Sequence, residues 1–498
     1  MFLWVFLWVI SVPAETLYWH DYETSGASPA NDRPWQFAGV RTTLNLEVIG
    51  EPLTVYAKPS LDVLPHPTAI RVTGISPYEC EATGLTEQGF IARIHDELSQ
   101  PGTCGVGYNS LRFDDEVTRY TLWRNFYDPY AREHSRGNSR WDLIDVVRAF
   151  YALRPDSLHW PKHPDGSPSF KLEDLTAANG LEHGAAHDAM SDVTATLALA
   201  RALRAADEAL FDRLLSQRFK TRVEAMVDTH RMTPLVHISG LFGTDRHCLG
   251  VIVPLTIHPD FKSDVICADI TREPSFLDMS VEEIQARLFA KKEALSSPDD
   301  RPSLMTIKVN RAPVLLPMSD ITPEAAKRLG LDGDRLRVHL SELRAAREAR
   351  GASFTAECQD VYRSASRAAD ANPDTALYGS FVPKEDRGLI QQVREASPAE
   401  LRNGRFAFSD ARLPELLFRY RARNWPESLS AEERLQWQEH CRAQWETSDH
   451  LNLKAFQSAL ESEIRTEGLS EKQTTALADL QRWVSTNAKV LGVKTPSV

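Results

Sequence analysis

The sequence predicts an α/β layer domain at its N-terminal end, a β-rich segment in the middle and a helical C-terminal third. Three observations carry this. Strand-like and helix-like segments alternate from Thr16 to about Ala206, apolar β-rich runs broken by Pro and Gly follow between about Glu208 and Gly351, and from about Ala356 nearly every stretch is helix-forming. The chain has 498 residues, room for about three domains of ordinary size. A hydrophobic content of 42% is that of a globular protein and excludes a disordered or fibrous class. The expected divisions are an apolar extension over 1–15, then domains over 16–206, 208–356 and 360–490.

The extension opens with Phe2-Leu3-Trp4-Val5-Phe6-Leu7-Trp8-Val9-Ile10. It is shorter than the roughly 20 residues a bilayer span needs. It has the length of a signal-peptide hydrophobic region and ends in small residues, yet lacks the positively charged start of such peptides. A surface extension or a start codon assigned too early is expected, with secretion as the alternative and no membrane anchor. Strands are predicted over 17–23, 38–47, 53–57 and 104–108, and helices over 87–98, 114–123, 141–151, 172–178 and 189–204. The last helix is the clearest, because Met190, Val193, Leu197 and Ala200 repeat at a helical period behind an Asp188 N-cap.

In the middle segment, Leu235-Val236-His237-Ile238-Ser239 and Val251-Ile252-Val253-Pro254-Leu255 read as strands, with helices added at 281–295 and 324–329. The helical third carries Arg412, Arg419, Arg421 and Arg423 beside Trp425 and Trp437. No internal repeat or low-complexity linker separates the parts, so packed domains are expected. The six cysteines are scattered without a C-x-x-C pair, which disfavours a zinc site or a disulfide framework and fits a reducing compartment. The formal charge of −12 argues against a polyanionic partner only weakly, since a domain carrying metal-binding acids can still present a basic groove.

Chemistry enters with Asp21 and Glu23, in Leu17-Tyr18-Trp19-His20-Asp21-Tyr22-Glu23-Thr24. Residues i and i+2 of a strand share a face, so two carboxylates lie side by side where a core is expected. Burying two like charges is costly, and a hard divalent cation such as Mg²⁺ resolves the conflict. Asp114 follows a strand and opens a helix; the alternative is that Asp114 or Asp115 only caps that helix. Asp192, with His187 five residues before it, is the fourth acid; the alternative is a first-turn acid favoured by the helix dipole. An imidazole can take a proton from a metal-bound water near neutral pH, which makes His187 the natural general base.

D-x-E on a strand, N-x-x-x-F-D at a later strand-to-helix junction and H-x-x-x-x-D at the start of an amphipathic helix occur in this order. The set resembles the DEDD superfamily of 3'-to-5' exonucleases, in the subclass with His in the last motif. His20-Asp21-Tyr22-Glu23-Thr24, Phe113-Asp114-Asp115-Glu116-Val117-Thr118-Arg119, Arg124-Asn125-Phe126-Tyr127-Asp128-Pro129-Tyr130, Asn138-Ser139-Arg140-Trp141-Asp142-Leu143 and Tyr151-Ala152-Leu153-Arg154-Pro155 further resemble the bacterial exodeoxyribonuclease I family. Pro234-Leu235-Val236-His237 and Tyr420-Arg421-Ala422-Arg423-Asn424 extend the resemblance over the rest of the chain.

The resemblance implies a ribonuclease H-like exonuclease domain with a mixed sheet, followed by a Src-homology-3-like β domain and an α-helical C-terminal domain. It implies processive 3'-to-5' digestion of single-stranded DNA to 5'-mononucleotides in DNA repair and recombination, by a cytoplasmic monomer. Two Mg²⁺ ions, for which Mn²⁺ can substitute, would be held by Asp21, Glu23, Asp114 and Asp192. DNA contacts are expected at Thr24, Arg119, Arg124, Tyr130, Arg140, Arg148 and Lys171. Independently, Arg112, Arg119, Arg124, Tyr127, Tyr130, Arg140 and Trp141 interleave cations with aromatics as a single-strand track does, the alternative being a solvated helix face with core aromatics. The family also binds the C-terminal tail of single-stranded DNA-binding protein; Arg154 and Arg344 match basic positions of that site, whereas Thr233 and Thr322 stand where the family can carry Lys or Arg. The competing functions are an oligoribonuclease or proofreading-type exonuclease, and a non-catalytic strand-binding protein on a nuclease fold.

Overall fold

Strand β1 (Thr16–Thr24) is apolar on both faces because it is the middle strand of a five-stranded sheet ordered β3-β2-β1-β4-β5. A computed structural model describes residues 15–181, 188–297, 300–363 and 371–493, so the apolar start and His187 lie outside the described residues. Strands β2 (Pro34–Thr42) and β3 (Leu53–Tyr56) join antiparallel on one side; β4 (Thr103–Gly107) and β5 (Ser139–Asp142) join parallel on the other. The helices are α1 (Pro67–Thr73), α2 (Pro77–Thr83), α3 (Glu87–Leu98), α4 (Asp114–Arg124), α5 (Leu143–Leu153), α6 (Leu172–Ala178) and α7 (Ala189–Ala206).

The two-residue period of β1 sorts its side chains between two cores. Leu17 and Trp19 pack with Val147 and Phe150 of α5 and with Val193, Leu197 and Ala200 of α7. Tyr18 and Tyr22 face the other way, onto Phe90, Ile91 and Ile94 of α3 and Val117 and Leu122 of α4. The sheet is thus covered on both faces, as a layered mixed sheet requires.

Three sequence expectations change here. Residues 139–142 form β5 rather than the start of a helix, because Trp141 pairs with Val106 at the sheet edge and Asp142 then caps α5. The strand expected over 38–47 starts at Pro34 and stops at Thr42, and the chain turns through Leu46 at φ 66°. The helices α1 and α2 were not expected, although each opens on a Pro behind a capping side chain, His66 or Ser76.

After α8 (Glu208–Ser216) and α9 (Lys220–Glu224) comes an antiparallel sheet ordered β10-β6-β7-β8-β9. Its strands are β6 (Leu235–Ile238), β7 (Leu249–Ile257), β8 (Asp264–Asp269), β9 (Leu304–Lys308) and β10 (Val314–Pro317). The added helices α10 (Val281–Leu288) and α11 (Pro323–Arg328) are where expected, α10 ending earlier. The next stretch is helical instead of β-rich: α12 (Gly333–Arg350) buries only Leu336, His339 and Leu343 on a polar helix, and α13 (Ala352–Tyr362) follows. Helices α14 (Arg387–Glu395), α15 (Pro398–Asn403), α16 (Leu413–Asn424), α17 (Ala431–Thr447), α18 (Leu453–Ile464) and α19 (Glu471–Leu491) make the C-terminal part.

Shared cores join the parts. Val236, Ile238 and Leu316 of the antiparallel sheet belong to the α5–α7 core, while Trp445 and Trp483 pack on Ile70, Ile75 and Cys80. A buried charge network reinforces the second junction: Asp62 accepts from Arg33 at 3.0 Å and Arg423 at 2.8 Å, and Asp374 from Arg423 at 2.6 Å and Arg419 at 2.7 Å. The six cysteines are buried and unbridged. Among the described residues, no helix is long and apolar enough to cross a membrane.

Candidate metal centre

Asp21 and Glu23 extend the Leu17–Trp19 stripe of β1 toward the N-terminus of α7, where Asp192 sits in the first turn. Carboxylate oxygens of Asp21, Glu23 and Asp192 lie within 4.8 Å of one another, the one such potential metal-holding group among the described residues. Glu23 is buried; Asp21 and Asp192 are half-buried. Asp114 adjoins them, its Oδ1 accepting at 3.2 Å from the backbone N–H of Tyr22, the residue between Asp21 and Glu23.

Asp114 and Asp115 are neighbours in sequence with opposite surroundings. Burial alone would raise Asp115, but the guanidiniums of Arg132 at 2.6 Å and Arg140 at 3.1 Å outweigh it and hold that carboxyl well below the usual range. Asp114 gains no such cation, and burial followed by the charges of Asp115 and Asp142 pushes it well above that range. The N-cap of α4 is Phe113, with no side-chain capping bond, so Asp114 does not serve as the helix cap. Asp21 is likewise raised, by burial first and then by Asp114, Glu23 and Asp192. Burial, Asp192 and Asp114 push Glu23 up to about 8, with Lys472 of α19 opposing. Four crowded acids of hard oxygen character fit a divalent cation, whose charge reverses each of these shifts.

Two residues that position this group were not singled out from the sequence. Gln36 stands opposite Glu23 in the β1–β2 ladder. Its Nε2 donates to Asp188 Oδ1 at 2.9 Å and its Oε1 accepts from the Ala189 N–H at 3.2 Å, which pins the start of α7 and so Asp192. Asp142 accepts from the backbone N–H groups of Asn109, Leu111 and Ile144 at 2.8, 3.1 and 3.1 Å, tying the loop before Asp114 to the start of α5. The signal for Asp142 was an Asp directly before an apolar helix; for Gln36, a polar side chain inside a buried strand.

The expected DNA contacts divide. Arg124 is fully buried and donates to Glu87 at 3.0 and 2.8 Å, so it is an interior ion pair and not a strand contact. Arg119 grips Glu133 with two bonds of 2.7 Å and donates to Glu116 at 2.8 Å; Arg140 pairs with Asp115 and Glu133. These three arginines neutralise buried acids together with Arg132, which pairs with Asp115 and Glu133, and Arg33, which lies 3.8 Å from Glu87. Thr24 is buried and donates to the Gly26 carbonyl at 2.6 Å. Tyr130 is half-buried, Arg148 pairs with Asp145 at 2.6 Å, and Lys171 is 65% exposed and 3.6 Å from Glu173. Arg154 is exposed and paired with Asp207 at 2.7 Å, and Arg344 is exposed and donates to the Arg231 carbonyl at 3.1 Å. Thr322 caps α11.

Glu116, two residues past Asp114, joins all three parts of the chain. It accepts from Arg119 of its own helix, from Arg311 in the β9–β10 turn at 3.2 Å, and from the hydroxyl of Tyr378 in the C-terminal part.

Comparison with known proteins decides the family. Residues 18–200 match the family model described as Exonuclease, 218–364 the Exonuclease I SH3-like domain, and 371–487 the Exonuclease I C-terminal domain. The chain belongs to the exodeoxyribonuclease I family. It is 41% identical to the Haemophilus influenzae exodeoxyribonuclease I (86% of this chain, 90% of the relative) and 43% identical to that of Escherichia coli (86% and 89%). The E. coli Exonuclease I structure in complex with a dA16 oligonucleotide matches with a TM-score of 0.88 at 39% identity, covering 95% of this chain and 99% of that one. A zinc-bound form of the E. coli complex with single-stranded DNA matches with the same TM-score and coverage at 38% identity. The ribonuclease H-like, Src-homology-3-like and helical organisation expected from the family holds, and the enzyme class is that of the family.

Proposed function

We propose that this chain is a divalent-metal-dependent 3'-to-5' exodeoxyribonuclease that shortens single-stranded DNA processively to 5'-mononucleotides. The carrying observation is the carboxylate group of Asp21, Glu23 and Asp192, with Asp114 beside it, inside a chain of which 86% is matched by the E. coli exodeoxyribonuclease I. E. coli Exonuclease I binds oligonucleotides such as dA16, which supports a single strand as the ligand here. Oligoribonuclease and proofreading-type alternatives leave residues 218–487 without a role, and a non-catalytic protein leaves four crowded acids, two of them buried, without a reason.

Asp21, Glu23, Asp114 and Asp192 would hold two Mg²⁺ ions, or Mn²⁺, and an all-oxygen donor set favours these over zinc, although the E. coli relative also has a zinc-bound form. When bound, the ions supply charge neutralisation at the scissile phosphate and at the leaving 3'-oxygen. Gln36 and Asp142 keep the four carboxylates in register, so little reorganisation accompanies the reaction. His187, one residue before the Asp188 that Gln36 anchors, accepts the proton of the attacking water at an imidazole nitrogen. Thr24, Tyr130, Arg148 and Lys171 remain the proposed strand contacts of the family set. Hydrogen bonds at Glu116 tie the three parts together, and a clamp closed by them around the strand would support processivity.

The tail of single-stranded DNA-binding protein is the proposed partner, at Arg154 and Arg344. The protein acts as a monomer in the cytoplasm, in DNA repair and recombination; six buried, unbridged thiols agree with a reducing compartment. The test is degradation of a 5'-labelled strand with Mg²⁺ or EDTA, beside duplex and circular controls. A ladder shortening from the 3' end of single strands only is expected, and cleavage of the circle would defeat the proposal.

A further inference from the structure

Lys472 reaches the metal centre from the C-terminal part of the chain. It lies in the first turn of α19, behind the Ser470 cap, and its charge is felt at Glu23, where it opposes the upward push of burial, Asp192 and Asp114. The side chain is exposed, and among the described residues no carboxylate forms an ion pair with it. Arg71, in the last turn of α1, is by contrast committed to Glu463. A cation in a first turn is disfavoured by the helix dipole, so α19 itself gives no reason for a lysine at this place.

The stem of Lys472 has a fitted seat. Gly74 closes α1 at φ 64°, and a Cβ there would stand 3.0 Å from Cδ and Cε of the lysine and 3.1 Å from its Cγ. The methylenes therefore lie across the glycine, whose missing side chain leaves them room. Helix α19 is fixed to α1 and α2 around this point. Leu477, Leu480 and Trp483 share a core with Ile70, Ile75 and Cys80, Ser76 Oγ donates to Asp479 at 2.7 Å, and Trp483 Nε1 donates to Glu81 at 2.6 Å. The ammonium is thus presented from packed helices rather than from a loop.

Direction decides what the ammonium serves. The sheet runs β3-β2-β1-β4-β5, with the acids on its middle strand. Tyr130 and Arg148, proposed as strand contacts, belong to segments that follow β4 and β5, whereas α19 packs beside Trp35 of β2 and Tyr56 of β3. The two sets approach β1 from opposite edges. An exonuclease that keeps its strand after each cut must discharge a mononucleotide by a separate way, and that product carries a phosphate that is largely a dianion at neutral pH.

We propose that Lys472 receives the 5'-phosphate of the released mononucleotide, so that product leaves past α19 and β3 while the strand stays held at the opposite edge. The proposal rests on the exonuclease reading and adds to it the way out for the product.

Calorimetric titration of the full chain with deoxyadenosine 5'-monophosphate in Mg²⁺ tests this, with deoxyadenosine as the control that lacks the phosphate. Lys472→Met keeps the stem and removes the charge. It should weaken the monophosphate roughly ten-fold, leave deoxyadenosine unchanged, and bind a long oligodeoxynucleotide in EDTA with the affinity of the parent. Lys472→Arg should keep most of the monophosphate affinity. A Lys472→Met protein that binds the monophosphate as the parent does would overturn the proposal. Equal weakening of monophosphate and oligonucleotide would overturn it as well, because Lys472 would then serve the strand. A parent that binds the monophosphate through Lys472 yet leaves a linear strand uncut would defeat the exonuclease reading alone.

Discussion

Glu23→Gln is expected to stabilise the metal-free protein. The carboxyl of Glu23 is pushed from its ordinary value of 4.5 up to about 8 by burial and by the charges of Asp192 and Asp114. A folded value above the unfolded one means that the folded form keeps a proton the unfolded chain has released. Stability is therefore whole below about pH 4.5 and is lost as pH rises toward 8. Integrated to pH 7, the penalty is on the order of 3 kcal/mol, and an uncharged Gln removes most of it. The melting temperature should rise by about 3 °C if the whole chain unfolds together, and by about 7 °C if the exonuclease domain unfolds alone. Differential scanning calorimetry in EDTA at pH 5 and pH 8 checks this, with the gain confined to pH 8. Excess Mg²⁺ should reverse the ranking, because only the parent keeps the full ligand set. A variant less stable than the parent at pH 8 in EDTA, or a gain equal at both pH values, would refute the reasoning.

Other perturbations separate structure from chemistry. Asp62→Ala leaves Arg33 and Arg423 buried beside an empty place and should cost about 3–5 kcal/mol in denaturant unfolding. Arg124→Ala should destabilise through the stranded Glu87, while the salt dependence of DNA binding, measured by fluorescence anisotropy, stays that of the parent. His187→Ala should lower turnover about 10²-fold or more with little change in DNA affinity, and comparable losses in both would remove it as the base.

The sequence carried the chemistry further than the architecture around it. Asp21 and Glu23 were legible because a two-residue period in a strand apolar on both faces leaves acids nowhere to go. Asp192 was legible because the period of α7 is regular and Asp188 marks its start. Asp114 was ambiguous, since a capping acid and a site acid look alike beside Asp115; only the pairing of Asp115 with Arg132 and Arg140 separates them. The surroundings of the arginines were less legible. A cation among aromatics reads as a strand track, yet Arg119, Arg124 and Arg140 are consumed by Glu133, Glu87 and Asp115, partners 14, 37 and 25 residues away that no local pattern reveals. Strand β5 escaped notice because its four residues are bounded by no alternation and are fixed by pairing with β4. Helix α12 escaped because a mostly polar helix is held by three buried side chains.

The central claim is that the acids around Asp21 hold the catalytic metal. Mn²⁺ binding followed by electron paramagnetic resonance, run in parallel with single-strand degradation on the parent and on Asp21→Asn, tests it most directly. The parent should bind two Mn²⁺ ions and shorten the strand from its 3' end, and the variant should lose tight Mn²⁺ binding and cleavage together. An Asp21→Asn protein that binds Mn²⁺ as the parent does and still cuts would contradict the account.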